Sequence, residues 1–299
     1  MQKPSTLGNL ASTFVGQTED LHHVDLGEGP SIVLIHGLAS NLRLWDGVAW
    51  RLREAQHRVV ACDLRGHGLS SKPDAVGFPA ALDGSGPYEL AEVAADVTAL
   101  IERLGLGACL VVGQSYGGAV ALQVAADRPD LTAAVVCVDG GFPDLRRRWP
   151  DWDACRKAMT PPPLAGRPLR AIRFRMRTER PDWPDEAMEG QMACFEVREN
   201  GTVAPWLTLD RHLEVLHGLW ALDAPALWAR VAAPTLLVAA ERPGSPKKSL
   251  WHDDTVRCRN LIAERARCEI VWMQGDHDLH AQHPDEVASL IERWGRGQL

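Results

Sequence analysis

Short apolar runs rich in β-branched residues recur along the chain, and several of them end at a glycine or an aspartate. Six such runs stand out: Ser31–Ile35, Arg58–Cys62, Cys109–Val112, Ala133–Val138, Thr235–Val238 and Glu269–Met273. A continuous apolar run of this length is typical of a strand buried on both faces, and such strands occur in parallel sheets. The pattern therefore predicts a mostly parallel sheet at the centre of the protein.

Several of the intervals between these runs show helical periodicity. Apolar residues at helical spacing predict helices over about Leu42–Ala55, Tyr88–Leu104, Ala119–Asp127 and Pro284–Trp294. The stretch Ser71–Pro87 is rich in glycine, proline and aspartate and is predicted to be a loop. Strands that alternate with helices in this way predict an α/β fold with a doubly wound sheet.

The alternation stops between Phe142 and about Ala226. This interval contains five tryptophans, four methionines and a cluster of arginines, and its patterns are helical without a long β run. We interpret residues 142–226 as a helical cap inserted over one edge of the sheet. Residues 1–141 and 227–299 are then predicted to form the α/β core.

Arginines recur every three or four residues within the predicted cap, at Arg167, Arg170, Arg173, Arg177 and Arg180. One interpretation is an amphipathic helix with a solvated basic side. The other is a positively charged collar that attracts anionic substrates. The sequence favours the first interpretation and leaves the second open.

Composition, charge and the length of the apolar runs argue against several classes of function. The 299 residues are 45% hydrophobic and carry a formal net charge of −7, which is unfavourable for binding a phosphate backbone. No apolar run reaches the ~20 residues needed to span a bilayer. Residues 1–16 lack the basic-then-apolar pattern of a secretory signal. We expect a cytoplasmic protein, a monomer or homodimer, with no nucleic-acid or membrane partner.

The cysteines agree with a reducing compartment. Their number is odd, and no pair has the Cys-x-x-Cys spacing that disulfide exchange or zinc binding uses. We predict buried free thiols at Cys62, Cys109, Cys137, Cys155, Cys194, Cys258 and Cys268.

Gly113-Gln114-Ser115-Tyr116-Gly117 matches the pattern G-x-S-x-G between a predicted strand and a predicted helix. This pattern requires a very sharp turn, and small residues on both sides of the serine let the strand and helix approach closely. The turn exposes the serine hydroxyl at the carboxyl edge of the sheet, beside the positive end of the helix. Ser115 is therefore the candidate nucleophile.

Three further segments, together with this motif, resemble the conserved segments of one protein family. They are His36-Gly37 after the first core strand, the turn Asp63-x-Arg65-Gly66-x-Gly68-x-Ser70, and Gly275-Asp276-His277 followed by Pro284. In their order and spacing, the chain resembles the α/β-hydrolases, in particular the capped, esterase-like branch. The resemblance covers nearly all of the chain outside the cap. It implies a mostly parallel sheet with an inserted helical cap, and neither a cofactor nor a metal.

A serine hydroxyl needs a base within hydrogen-bond reach. The resemblance implies that this base is His277, which lies seven residues before Pro284 on a loop after a predicted strand. His280 and His283 lie nearby, but a single loop without a second ligand segment is a poor metal site.

The acid that orients the base is less clear. Many relatives place an aspartate after the strand Thr235–Val238, where this chain has Pro243. Two carboxylates remain as candidates. Asp139 ends the strand after the nucleophile's helix and is followed by two glycines, and Glu241 lies two residues from the usual position. We favour Asp139, because a strand-end aspartate faces the edge where the serine lies.

The oxyanion hole requires two preorganised N–H donors. The fold implies the N–H groups of Tyr116, directly after the nucleophile, and of Leu38, in the turn after the first core strand. His36 and the turn between Asp63 and Ser70 are interpreted as architectural.

These residues predict a serine hydrolase that cleaves apolar carboxylic esters or lactones through an acyl-enzyme. A thioesterase and a carbon–carbon bond hydrolase with the same triad are alternatives. Dehalogenases and epoxide hydrolases of this fold use an aspartate nucleophile, so Ser115 argues against both. A non-catalytic receptor on this fold is the alternative from a different class.

Overall fold

The computed structural model describes residues 14–18, 21–77, 86–242 and 249–298. The strands within these ranges are β1 (Phe14–Thr18), β2 (Leu21–Leu26), β3 (Ser31–Ile35), β4 (Arg58–Cys62), β5 (Cys109–Gln114), β6 (Thr132–Val138), β7 (Phe195–Val197), β8 (Val203–Pro205), β9 (Thr235–Glu241) and β10 (Cys268–Gln274). The helices are α1 (Asp46–Glu54), α2 (Leu90–Arg103), α3 (Tyr116–Asp127), α4 (Leu145–Arg148), α5 (Trp152–Met159), α6 (Leu169–Glu179), α7 (Asp185–Met192), α8 (Leu209–Ala221), α9 (Ala224–Arg230), α10 (Leu250–Ala263), α11 (Leu279–Gln282) and α12 (Pro284–Gly295).

The central sheet has eight strands among the described residues, in the order β1-β2-β4-β3-β5-β6-β9-β10. Neighbouring strands from β4 to β10 are parallel, and β1 and β2 add an antiparallel edge. This is the mostly parallel sheet that the sequence predicted. Because β5, β6, β9 and β10 are neighbours, the loops at their carboxyl ends meet at one edge of the sheet.

Both faces of the sheet are covered. Val33 and Ile35 of β3 pack into a core with α2, α3 and α10, whereas Ile32 and Leu34 pack into the opposite core with α1 and α12. All four side chains are buried, which is the burial that the continuous apolar run predicted.

Several elements differ from the sequence prediction. β2 contains two histidines and an aspartate in place of an apolar run, so the pattern does not mark it. In α10 the apolar positions are mixed with charged and polar ones, so periodicity alone does not reveal the helix. The helix predicted from Leu42 begins as a 3₁₀ turn, Leu42–Trp45, and is regular from Asp46. Residues 71–77 contain no helix or strand, and the remainder of the predicted loop, residues 78–85, lies outside the described residues.

The segment 142–226 lies between β6 and β9 and contains α4 to α8. It is not wholly helical, because β7 and β8 form a short antiparallel pair. Helix α9 spans the boundary drawn at residue 226, and its Trp228 is fully buried in the core of the sheet domain. Within the described ranges, no helix combines the length and the apolar composition that a bilayer span requires.

Candidate active site

Ser115 lies in the turn between β5 and α3 with φ 53° and ψ −118°. A positive φ is strained for a residue with a Cβ atom, and strain of this kind is found at functional sites. The flanking glycines explain how the turn closes. A Cβ at Gly113 would lie 1.9 Å from the Gly117 carbonyl oxygen, and a Cβ at Gly117 would lie 2.4 Å from the Ile35 carbonyl oxygen. The turn therefore depends on the absence of side chains at both positions.

The imidazole of His277 lies between Ser115 and Asp139. Its Nε2 is 2.9 Å from Ser115 Oγ, and its Nδ1 is 2.7 Å from Asp139 Oδ2. Because a carboxylate only accepts hydrogen bonds, Nδ1 carries the proton and Nε2 is free to accept from the serine hydroxyl. The three side chains form one continuous hydrogen-bonded chain.

Asp139 follows β6 directly and is only 2% exposed. A buried carboxylate needs hydrogen-bond partners on both oxygens. Its second oxygen, Oδ1, accepts from the Ala240 N–H at 2.8 Å and from the Trp251 indole N–H at 3.2 Å. Glu241, the other candidate acid, instead accepts at 2.6 Å from Gln274. The structure thus brings Asp139, and not Glu241, to His277.

Two opposing effects set the pKa of His277. Burial lowers it by disfavouring the charged imidazolium. The hydrogen bond to Asp139 and the negative charges of Asp278 and Asp139 raise it, and the net result is a pKa above the ordinary value. The site therefore stabilises the protonated imidazole, which is the form that a general base reaches after taking a proton.

The two N–H groups predicted for the oxyanion hole belong to segments next to the nucleophile. Tyr116 is the first residue of α3, a position whose N–H has no acceptor within the helix. Leu38 belongs to the turn after β3, which the Ser40 N–H closes by donating to the Gly37 carbonyl. A Cβ built at Gly37 would lie 3.0 Å from Ser115 Cβ, so this turn is in close contact with the nucleophile.

Two buried histidines hold that turn in place. His36 Nδ1 donates to the Gly37 carbonyl at 2.7 Å, and His36 Nε2 accepts from the Leu64 N–H at 2.9 Å. His67 Nε2 accepts from the Ala39 N–H at 3.2 Å. Burial lowers the pKa of both imidazoles, to about 3 for His67. Both rings are therefore neutral and act as fixed hydrogen-bonding groups.

The turn from Asp63 to Ser70 is tied to the surrounding loops. The Asp63 carboxylate accepts from the N–H groups of Leu42 and Leu69 at 2.8 and 2.9 Å. The Arg65 guanidinium makes a bidentate ion pair with Asp96, at 2.5 and 2.6 Å. Such contacts match the architectural interpretation of this turn.

Sequence reasoning missed two residues that touch the triad. Gln114 precedes the nucleophile, and its Nε2 donates to the His277 carbonyl at 3.2 Å and to Asp278 at 3.3 Å. Trp251 donates to Asp139 from helix α10, which the pattern does not reveal. Gln114 occupies a variable position of the G-x-S-x-G pattern, so neither residue has a sequence signal.

The two histidines that follow His277 lie within and directly after helix α11. His280 is fully buried and packs on Trp45 with ring centroids 4.3 Å apart. His283 precedes α12 as its N-cap residue. Across the described part of the chain, no three His, Cys, Asp or Glu side chains are grouped so as to hold a metal ion.

Most of the cap arginines are paired within the protein. Arg173 pairs with Glu189, Arg177 with Asp185, and Arg180 lies 3.9 Å from Asp278. Helix α6 buries Ile172 and leaves Phe174 77% exposed. Internal pairing reduces the positive charge available to a substrate, which favours the amphipathic-helix interpretation over the anionic collar.

One hydrophobic cluster of the cap reaches the turn after β3. Leu38 packs against a cluster built on Leu145, Cys155 and Leu216, to which Trp152 and Trp220 also belong. Their indole rings lie 5.9 Å apart. This cluster is apolar, and it borders the turn that contacts Ser115.

A comparison with known proteins identifies the family of this chain. A model of the alpha/beta hydrolase family matches residues 32–290. The chain belongs to the alpha/beta hydrolase family. The resemblance inferred from the four motif segments is thereby confirmed, and the assignment supports a hydrolase.

The relatives of this alpha/beta hydrolase carry different activities. Haloalkane dehalogenase 2 of Mycobacterium tuberculosis is 32% identical over 287 residues, which cover 92% of this chain and 91% of that protein. The 2-(acetamidomethylene)succinate hydrolase of Mesorhizobium japonicum is 32% identical over 131 residues, 42% of this chain. The chain spans only 43% of the length of that second relative.

Solved structures share the fold at lower identity. The crystal structure of E-2-(acetamidomethylene)succinate hydrolase has a TM-score of 0.74 at 23% identity, covering 92% of this chain and 94% of that chain. The thioesterase domain from the curacin biosynthetic pathway also has a TM-score of 0.74, at 22% identity, and covers 95% and 100%. At such identities the likeness establishes the fold and not the substrate.

Proposed function

We propose that this protein is a serine hydrolase that cleaves carboxylic esters, lactones included, through an acyl-enzyme intermediate. The observation that supports this most is the hydrogen-bonded chain from Ser115 through His277 to Asp139. In this proposal Ser115 is the nucleophile, His277 is the general base and Asp139 orients the imidazole. The N–H groups of Leu38 and Tyr116 stabilise the oxyanion.

The reaction has two halves. Ser115 Oγ attacks the ester carbonyl while His277 Nε2 takes its proton, and negative charge collects on the carbonyl oxygen between the two N–H donors. The tetrahedral intermediate then collapses: the bond to the alcohol breaks, and His277 returns its proton to the leaving oxygen. Water repeats the sequence on the acyl-enzyme, with His277 as base, and releases the carboxylic acid and free Ser115.

The type of nucleophile distinguishes ester hydrolysis from the reaction of a haloalkane dehalogenase. A carboxylate that displaces a halide forms an ester, which water can cleave. A serine alkoxide in the same displacement would form an ether, which has no carbonyl for water to attack, so the enzyme would stop after one turnover. Ser115 therefore favours acyl substrates over alkyl halides and epoxides.

The cap suggests the kind of acyl compound. The apolar cluster beside Leu38 suits a small to medium apolar group, and the ion pairs of Arg173 with Glu189 and of Arg177 with Asp185 offset the charge that would attract an anionic one. Thioesters pass through the same acyl-enzyme, so they belong in the substrate panel.

The decisive experiment is labelling with a fluorophosphonate, followed by assays on chromogenic esters, lactones and thioesters. We expect Ser115→Ala to keep the fold and to lose both labelling and hydrolysis. Ser289→Ala, which removes an exposed serine of α12, is the matched control and keeps both. A wild-type protein that neither labels nor hydrolyses any member of the panel would contradict the proposal and favour a non-catalytic binding role.

A further inference from the structure

The carboxylate of Asp139 accepts hydrogen bonds from three separate segments of the chain. Asp139 directly follows β6, whereas its donor groups come from β9, from α10 and from the loop after β10. The Ala240 N–H and the Trp251 indole N–H both reach Oδ1, and His277 reaches Oδ2. Oδ1 therefore accepts from two donors, and Oδ2 accepts from His277.

Trp251 is well placed to hold this arrangement. It is the second residue of α10, whose N-terminus is capped by the Ser249 hydroxyl accepting from the His252 N–H at 3.2 Å. The indole nitrogen can only donate, so its bond to Oδ1 has a fixed direction. Two donors that approach one oxygen from different elements restrict rotation of the carboxylate, which keeps Oδ2 directed at the imidazole.

The indole ring also contacts the base directly. Its centroid lies 6.1 Å from that of His277 with an interplanar angle of 76°, and 5.6 Å from that of Phe142 with an angle of 79°. Both are edge-to-face arrangements, which aromatic rings favour. Trp251 thus touches the acid through its N–H group and the base through its ring.

We propose that Trp251 is a positioning residue of the triad, which aligns the Asp139 carboxylate with His277 through the indole N–H group. The inference rests on the proposed serine-hydrolase function and adds to it a residue on a separate helix. Loss of the N–H group is expected to let the carboxylate rotate and to weaken the bond between His277 Nδ1 and Asp139 Oδ2.

The test is Trp251→Phe, which removes the N–H group and keeps an aromatic ring. We expect kcat for ester hydrolysis to fall about tenfold and KM to stay within about twofold of wild type. The reason is that the lost hydrogen bond holds the acid that orients the base and does not bind substrate. The matched control is Trp272→Phe on β10, since the described ring contact of Trp272 is a stack on His252. We expect kcat of this control to stay within about twofold of wild type.

Two further measurements separate positioning from a general loss of structure. If Trp251 acts through Asp139, then Trp251→Phe costs less than about twofold in the background of Asp139→Asn. The low-field proton signal of His277 Nδ1 is expected to move upfield in Trp251→Phe and to stay in place in Trp272→Phe. Should the phenylalanine variant fail to fold, benzothienylalanine at position 251 replaces the N–H group by sulfur at nearly constant shape.

Unchanged kcat in a folded variant that lacks the N–H group would overturn the inference, and so would effects that add in the double variant. Failure of the proposed function has a different signature, because the wild-type protein would then neither label with the fluorophosphonate nor hydrolyse esters. In that case the Nδ1 proton signal still decides whether Trp251 aligns Asp139 with His277.

Discussion

Substitution of Asp139 by asparagine tests the acid, the position where the sequence departs from the family pattern. The side-chain amide introduced by Asp139→Asn has one acceptor and one donor group, unlike the carboxylate. The Ala240 and Trp251 N–H groups both require an acceptor at the Oδ1 position. They therefore fix the amide with its NH₂ group toward His277 Nδ1.

This orientation reverses the imidazole tautomer. Nδ1 must accept from the amide, so the proton moves to Nε2, which then donates toward Ser115 and no longer accepts its proton. In a comparable triad the same change lowers kcat by about 10⁴, equivalent to about 5 kcal/mol of transition-state stabilisation. We expect a loss of that order for Asp139→Asn.

The matched control is Glu241→Gln. Glu241, at the end of β9, accepts a hydrogen bond from Gln274, at the end of β10, and an exposed hydrogen bond of this kind is worth about 1 kcal/mol. We expect less than a tenfold loss of kcat. The assay compares kcat for ester hydrolysis and the rate of fluorophosphonate labelling, after circular dichroism has shown both variants to be folded. An inactive Glu241→Gln together with an active Asp139→Asn would refute the reasoning and leave Ser115 and His277 in their roles.

Three further predictions concern the pH profile, the turn around the nucleophile and metal dependence. The pKa of His277 is raised above its ordinary value, and the base must be neutral to act, so kcat/KM is expected to fall as the pH decreases through that raised pKa. Asp278→Asn removes a negative charge that favours the imidazolium, and it should move the acid limb to lower pH; a shift to higher pH would contradict this. Gly113→Ala places a Cβ 1.9 Å from a backbone oxygen, and we expect it to lower the free energy of unfolding in urea by at least about 3 kcal/mol. Gly105→Ala has open space around its Cβ, so we expect a loss of only about 1–2 kcal/mol, caused by its positive φ. Equal losses in the two glycine variants would show that the close approach is not limiting. EDTA is expected to leave ester hydrolysis unchanged, and a loss that zinc restores would show a metal requirement.

The sequence alone determines the features that depend on near neighbours along the chain. The β-branched runs mark the six strands β3, β4, β5, β6, β9 and β10. The first five lie inside the sheet and are apolar because both of their faces are largely buried, whereas β10 is an edge strand whose side chains are mostly half-buried. The Gly-x-Ser-x-Gly pattern marks the turn at Ser115, since only glycine lets the strand and helix approach so closely. Regions without such local signals, such as β2 and α10, do not follow from the pattern.

Only the tertiary structure decides which acid meets the base. Asp139 directly follows a predicted strand and Glu241 lies three residues beyond one, so the sequence favours Asp139 but does not show which carboxylate reaches His277. The pairing of β6 with β9 sets Asp139 beside Ala240, and the start of α10 then adds the Trp251 N–H to the same carboxylate. His277 is 138 residues from Asp139 in the chain and 2.7 Å from it in space. Such a contact depends on strand order and helix packing, which no short stretch of sequence encodes.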